Sequence, residues 1–355
     1  MDVKTAFLYG RPEEDVFMKF PDGYPHEQKE GTCLKLEQSL YGLKQSPRCW
    51  YQHLTSVFKK LEFYPSLGDP YDLGEANFFL GIKIERIRSQ KLIHLSQPNY
   101  IKKILCEFGM SNCKSVSTPM VPNSRLMPIK EDEKSPEFDY RQAIGLLNYL
   151  VSCTRPDLAF VTSALSQFLE KPTDEHISAF KRVLRYLQGT RDYRLTLGGV
   201  LAPKSMVGYS DSDWGNNYDG RSFSGYGINL GGLICWKSKK QPIAALSSTE
   251  SELRSMSELL QDSLWLETLV KDFKITVPIT VWCDNQGAIA LCKNPLYHHR
   301  TRHINIRMNW IRDIIKDKKI LVNYIATHDM WADILTKGLG RLKHEKFCKE
   351  INLIA

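Results

Sequence analysis

Several protein classes are set aside by what the sequence does not contain. Its nine cysteines include no Cys-x-x-Cys pair. Their number is odd, and Cys106, Cys153, Cys235 and Cys283 sit in apolar runs, which suits buried, reduced thiols of an intracellular, cytoplasmic chain better than a disulfide framework. No apolar run is long enough to span a bilayer, so no membrane partner is expected. The opening residues, MDVKTAFLYG, have no basic leader followed by an apolar stretch, so no signal peptide is expected. Internal repeats and low-complexity tracts are missing. No two aspartates are adjacent anywhere in the chain.

What is present describes a globular chain. Its 355 residues, 42% hydrophobic and 25% charged, allow two or three domains and a sizeable core. The net charge of +8 is unevenly placed: from Cys292 to Glu350 there are 13 Lys and Arg against 6 Asp and Glu, so nearly all the excess lies in the last sixth of the chain. A solvated helical face would account for this, and so would a surface for nucleic acid. Lys293, Arg300, Arg302, His303 and Arg307 fall in that stretch beside His298 and His299. Without cysteine partners, the histidines fit a basic strip facing nucleic acid better than a zinc site.

Hydrophobic periodicity gives the elements. A helix is expected from near Pro47 through CWYQHLTSVFKKL, and a short buried strand over NFFLGIKI, residues 77–84. A second helix carries Tyr100, Ile101, Ile104, Leu105 and Phe108 on one face. Residues 114–136, rich in Pro, Ser and charge, read as a linker. Helices follow around 140–153 and 173–187, with Arg155, Pro156 and Asp157 between them. From Met206 the order becomes βββαβαβα. MVGYSDSDW is a strand ending in acids, and YGINL and LICW form a hairpin about Gly231–Gly232. IAAL is a further strand. A long helix follows, with Leu253, Met256, Leu260, Leu264 and Val270 on one side. Then come the strand ITVWCDN, a short helix, a helix with Ile304, Met308, Ile311 and Ile315 on one stripe, the strand ILVNYIA and a last helix from about Met330 to Thr336 or beyond.

Four carboxylates fall at element ends in this last region: Asp211 near the end of the first strand, Glu252 in the first turn of the long helix, Asp284 at the end of ITVWCDN, and Asp333 opening the last helical stretch. Nuclease chemistry on a phosphodiester can use two divalent ions about 4 Å apart, held by such acids drawn from distant parts of the chain. Mg²⁺ is the expected ion, with Mn²⁺ as the substitute, because hard cations take carboxylate and water oxygens. Each acid also has a local use. Thr249-x-x-Glu252 and Ser247-x-x-Glu250 both read as capping boxes. Asp284 could cap the next helix, and Asp333 could complement a helix dipole. It is the set of four, in this order of strands and helices, that favours a metal centre.

The blocks GYSDSDWGNNYDGRSFSGY, CWKSKKQPIAALSSTESEL, VWCDNQGAIALCKNP, HHRTRHINIR and DMWADILTK, in that order, resemble the ribonuclease H of copia-type retrotransposon polyproteins. The resemblance implies a ribonuclease H-like α/β fold, a mixed five-stranded sheet with flanking helices. It implies Mg²⁺-dependent cleavage of RNA in an RNA–DNA hybrid, with Asp211, Glu252, Asp284 and Asp333 as the metal-binding acids. Asp213 and Glu250, two residues away, are the alternatives for the first two. His328, five residues before Asp333, is read as a surface histidine.

The first half resembles the reverse transcriptase of the same elements. MDVKTAFLYG resembles the palm block carrying the first catalytic aspartate, here Asp2. SLYGLKQSPRCWYQHL resembles the block lining the template and nucleotide site, and DLGEANFFLGIKI the palm–thumb segment. HLSQPNYIKKIL, TPM, YRQAIGLLNYL, TRPDLAFV and RVLRYLQGT resemble the region before ribonuclease H. Between Asp69 and Asp72 this sequence is without the strand–turn–strand and paired aspartates that the family carries, and the chain opens at the methionine before Asp2. The expectation is an incomplete palm/thumb remnant over 1–115 with an internal deletion near 69–72, lacking fingers and polymerase activity. A partly helical connection over 116–205 and the ribonuclease H-like domain over 206–350 complete the expected organisation.

Overall fold

The periodic segments fold largely as their spacing dictates. The computed structural model describes residues 6–21, 32–60, 75–130, 133–199, 205–293, 305–318 and 320–355. Two compact units divide the chain, Met1–Glu75 and Ala76–Ala355. In the first, strands β1 (Phe17–Met18) and β2 (Leu34–Lys35) pair antiparallel, and helix α1 spans Ser46–Lys60. Pro47 occupies the first turn of α1, where its missing N–H costs no helical hydrogen bond. Ser46 Oγ donates to Leu40 O at 2.6 Å, fixing the entry to the helix. Asp2, Asp69 and Asp72 lie outside the described residues.

The second unit begins with strands β3 (Phe78–Phe79), β4 (Ile82–Ile87) and β5 (Leu92–Ser96). Helices α2 (Pro98–Glu107), α3 (Tyr140–Cys153), α4 (Ala159–Leu165) and α5 (Asp174–Gly189) follow. Strands β6 (Arg194–Gly198), β7 (Met206–Asp213), β8 (Phe223–Asn229) and β9 (Leu233–Lys240) lead into helix α6 (Ser248–Asp272). The chain continues through β10 (Ile279–Cys283), α7 (Gln286–Lys293), α8 (Asn305–Lys318), β11 (Leu321–Tyr324), α9 (Arg341–Glu350) and β12 (Leu353–Ile354).

The expected mixed sheet is present, in the order β11-β10-β7-β8-β9. β10 runs parallel to both β7 and β11, whereas β8 runs antiparallel to β7 and β9. This is the ribonuclease H-like arrangement: a three-stranded meander extended on one side by two parallel strands that need helical crossovers. One face carries the core of α6 and α8, including Leu253, Met256, Leu260, Met308 and Ile311. A second, wholly antiparallel sheet has the order β12-β6-β5-β4-β3. It draws its strands from the beginning, middle and end of the unit. Between the sheets, Ala159 and Leu195 share a core with Met330, Trp331, Leu335, Phe347 and Leu353. Among the described residues no helix is long and apolar enough to cross a membrane.

Three expectations about elements are corrected. Residues 77–84 are two strands rather than one, because Leu80 and Gly81 both take positive φ and turn the chain. That leaves Phe78, Phe79 and Leu80 exposed, not buried. IAAL is no strand: β9 already extends to Lys240, Pro242 lacks the N–H a ladder requires, and Ile243 and Leu246 are exposed. The last helical stretch is a short 3₁₀ turn, Trp331–Leu335, separated from α9 by Gly338 and Gly340. The segment 114–136 has no helix or strand among its described residues, yet Thr118, Met120 and Leu126 are buried, so it is packed down. All nine cysteines are free, and Cys106 is exposed rather than buried.

Candidate metal centre

The centre forms where β10 ends alongside β7. Their parallel register sets Cys283 beside Ser210, so Asp284, the next residue, emerges next to Asp211. Alternation along β7 assigns its side chains to two layers. Gly208 faces α6, where an added Cβ would meet the Leu259 side chain at 2.8 Å. Tyr209 and Asp211 face the other way, and the Tyr209 ring lies 4.9 Å from that of Trp331. Gly225 of β8 pairs with Asp211. A side chain there would meet Thr336 Cγ2 at 2.5 Å, so the glycine admits the 331–336 turn against the sheet and brings Asp333 to Asp211.

Around Asp211 the contacts are dense. Thr336 Oγ1 donates to Asp211 Oδ2. Lys337 Nζ stands 3.5 Å from Asp211 Oδ2 and 2.8 Å from Asp333 Oδ1. Lys343 Nζ pairs with Asp333 Oδ2. From the α6 side, Glu252 Oε1 accepts from the Ser212 N–H at 3.1 Å, while Oε2 lies 4.0 Å from Cys283 Sγ. Asp211, Glu252 and Asp333 are buried, and Asp284 is half-buried.

Electrostatics ties the four acids together. Burial lifts Glu252 well above the usual carboxylate range, reinforced by the charges of Asp211 and Asp284. Asp284 is raised by burial and then by Asp211. Asp333 is pushed up to about 6 by burial and Asp211, against the opposing pull of Lys337 and Lys343. Burial would lower Lys337, but Asp211 and Asp333 outweigh it and hold the ammonium above its ordinary value. Asp211 thus acts on each of the other three.

Of the two sequence alternatives, Glu250 is held at the helix start, whereas Asp213 stays within electrostatic reach of the centre. Glu250 Oε2 accepts from the Leu246 N–H at 2.8 Å, its own N–H donates to Ser247 Oγ at 3.1 Å, and it pairs with Arg254 at 2.6 Å. Ser247 thus caps the helix, while the Glu250 carboxylate reaches back to Leu246, one residue before the cap, instead of completing the expected box. Asp213 accepts from Asn216 Nδ2 at 2.7 Å, and burial raises its carboxyl while the charges of Lys337 and Asp211 also act on it. His328 is exposed and pairs with Asp329 at 3.1 Å. Of the basic strip, Lys293 and Arg307 are exposed, while Arg300, Arg302 and His303 lie outside the described residues. Sequence reasoning missed Lys337, Lys343 and Thr336. Only the four-residue spacing from Asp333 to Lys337 hinted at any of them.

A divalent ion suits this donor set. Four carboxylates lie within electrostatic reach of the Lys337 ammonium, burial makes their charges mutually unfavourable, and that ammonium already stands as a cation between Asp211 and Asp333. Comparison with known proteins places the chain in context. The profile of the family described as reverse transcriptase (RNA-dependent DNA polymerase) matches residues 1–69. The Retrovirus-related Pol polyprotein from transposon TNT 1-94 of Nicotiana tabacum is 36% identical over 405 aligned residues, covering 99% of this chain and 30% of the polyprotein. The corresponding polyprotein from transposon RE1 of Arabidopsis thaliana is 34% identical over 403, covering 99% of this chain and 27% of its own length. The chain therefore spans under a third of these relatives. Among solved structures, the foamy viral protease-reverse transcriptase in complex with dsDNA aligns with a TM-score of 0.42 at 14% identity, covering 92% of this chain and 71% of that one.

Proposed function

The chain belongs to the copia-type retrotransposon Pol family, and from that premise we propose that its four-carboxylate centre is a Mg²⁺-dependent ribonuclease H acting on the RNA strand of RNA–DNA hybrids. The observation that carries this reading is the position of Asp211, set next to Asp284 by the β7–β10 register and joined to Asp333 through Lys337. Asp211, Glu252, Asp284 and Asp333 would hold the ions. Bound divalent ions supply an activated water and neutralise the leaving oxygen. The protein orients the acids: the Ser212 N–H fixes Glu252, and the Thr336 hydroxyl fixes Asp211. Lys293 and Arg307, with Arg300, Arg302 and His303 from the same stretch of sequence, would contact backbone phosphates. The 2′-OH would distinguish the RNA strand.

The same reading includes loss of RNA-directed DNA polymerase activity from this chain. The family profile stops at residue 69, where the sequence departs from the polymerase pattern. Aligned lengths of 405 and 403 against 355 residues leave tens of positions in the relatives without a counterpart here. Asp2 has no paired aspartates to share a metal with. The divisions at 115/116 and 205/206 follow the motif blocks and are proposed as boundaries of origin, whereas compactness groups 76–355.

One observation favours a second reading. Both oxygens of Asp333 already meet lysines, so the acids could be neutralised internally in an inactive nucleic-acid-binding relic. Incubating the full chain with a labelled hybrid and Mg²⁺ separates the two. Cleavage abolished by Asp284→Asn supports the nuclease. Tight, Mg²⁺-independent binding without turnover supports the relic. Primer extension on an RNA template would overturn the loss of polymerase activity.

A further inference from the structure

The acids of this centre share their space with a thiol. One donor atom each from Glu252, Cys283 and Asp284 lies within 4.8 Å of the others. Cys283 is the last residue of β10 and is buried, with its Sγ 4.0 Å from Glu252 Oε2. The Asn285 N–H approaches the sulfur at 3.4 Å and helps to fix it. Glu252 is held through its other oxygen by Ser212, so Oε2 is the atom turned toward the thiol.

Two carboxylates and one sulfur make a poor Mg²⁺ set but a suitable one for a thiophilic ion. Mg²⁺ takes oxygen ligands in a strict octahedron. Zn²⁺ accepts Cys, Asp and Glu around a tetrahedron with one place left for water. Tetrahedral donors stand roughly 3.5 Å apart, so the side chains here need to close by about 1 Å. Among the described residues the other cluster of this kind, Asp157, His344 and Cys348, lacks that freedom. There Arg155 and Tyr186 occupy Asp157, and His344 Nε2 already bonds the Tyr186 hydroxyl.

We propose that Glu252, Cys283 and Asp284 form a site for a thiophilic divalent ion of the Zn²⁺ class, which competes with Mg²⁺ for two of its acids. Binding forms a metal–sulfur bond, and the thiol proton leaves to solvent. The regulatory consequence, inhibition of hybrid cleavage by Zn²⁺, rests on the nuclease reading; the ion site itself does not.

The test titrates the full chain with Cd²⁺ and follows the ultraviolet sulfur-to-metal charge-transfer band. The wild-type chain is expected to show a saturable band that excess Mg²⁺ displaces. Cys283→Ser should remove that component and weaken Cd²⁺ by about tenfold or more. Asp284→Asn should weaken binding while keeping the sulfur signal, and Cys106→Ser, at an exposed thiol, should change neither. A Cys283→Ser titration like wild type, or a band indifferent to Mg²⁺, overturns the proposal. X-ray absorption of the unmutated chain with one equivalent of Zn²⁺ guards against misfolded variants: one sulfur among oxygen donors is expected, and an all-oxygen shell overturns the site. Cleavage with Mg²⁺ but no Cys283-dependent band sinks the ion site alone. The band without any cleavage sinks the nuclease reading alone.

Discussion

Lys337 Nζ lies 2.8 Å from Asp333 Oδ1, one helical turn back along the chain, and the pair sits at the junction of the acids. This ammonium offsets carboxylate repulsion while no ion is bound. Lys337→Met should lower the stability of ion-free protein by about 1–2 kcal/mol, a figure reduced because the side chain is 32% exposed. Mg²⁺ should restore more stability to the variant than it adds to wild type. Thermal melts with and without Mg²⁺ check this, and equal Mg²⁺ shifts in both proteins would refute it.

Glu250 and Glu252 are two residues apart on α6 but do different work. Glu250→Gln should cost about 1 kcal/mol through the weakened cap and its pair with Arg254, and leave hybrid cleavage near wild type. Glu252→Gln should reduce cleavage by at least about a hundredfold, the scale of a lost transition-state contact. Comparing the two variants for kcat and for urea midpoint separates the roles. Equal loss of cleavage in both would remove the assignment of Glu252.

The raised acids set a pH dependence whose sign can be worked out. Asp333 titrates at about 6 in the folded chain against an ordinary 3.8, and Glu252 and Asp284 are also raised. Between about pH 4 and pH 6 the folded state therefore holds more protons than the unfolded one, and stability falls as pH rises through that window. Ion-free protein should melt higher near pH 5 than near pH 7.5. Mg²⁺ requires the ionised acids, so its affinity should drop below about pH 6. Melting temperatures across this range at zero and saturating Mg²⁺ provide the measurement.

A different linkage governs the Arg155–Asp157 pair, which is fully buried with Nη2 2.7 Å from Oδ2. Burial would raise Asp157, but the charge and hydrogen bonds of Arg155 outweigh it and hold the carboxyl below 3.8. Its contribution is therefore complete above about pH 4 and is lost as pH falls below that. Arg155→Met leaves an uncompensated buried carboxylate and should cost about 3–5 kcal/mol. Urea unfolding at a series of acidic pH values should show a steeper loss for wild type than for Asp157→Asn.

Hybrid binding should weaken with salt because releasing counterions into more concentrated salt gains less entropy. Lys293→Ala and Arg307→Ala should each lower the slope of log affinity against log salt by about 1, with little change in melting temperature. An unchanged slope in both would place the nucleic acid on another face.

Sequence legibility followed the range of the interactions involved. Strands and helices with strong periodicity, such as β7, β10 and α6, were legible because burial of one face dictates the spacing. The acids were legible as residues at element ends. Choosing between Glu252 and Glu250 was less direct, because both satisfy a capping pattern, and only the fold shows that Glu252 meets the Ser212 N–H of β7 while Glu250 meets Leu246 and Arg254. IAAL carried strand-like residues, but Pro242 and the start of α6 claimed the segment. Lys337 and Thr336 could not be found from the chain alone, since their importance depends on Gly225 of β8 admitting the 331–336 turn.

β12 pairs Leu353 with Leu195 of β6, so one side of the second sheet is closed by a strand far downstream in the sequence. On a translating ribosome that edge of β6 stays unpaired until Ile354 has cleared the exit tunnel, even though its other partner, β5, emerged long before. A stalled or shortened nascent chain would therefore present an open strand edge, the kind of surface that other chains can pair with. Synthesis order thus makes β6 wait far longer for one neighbour than for the other, and its open edge is the place to look for aggregation when translation stops before β12.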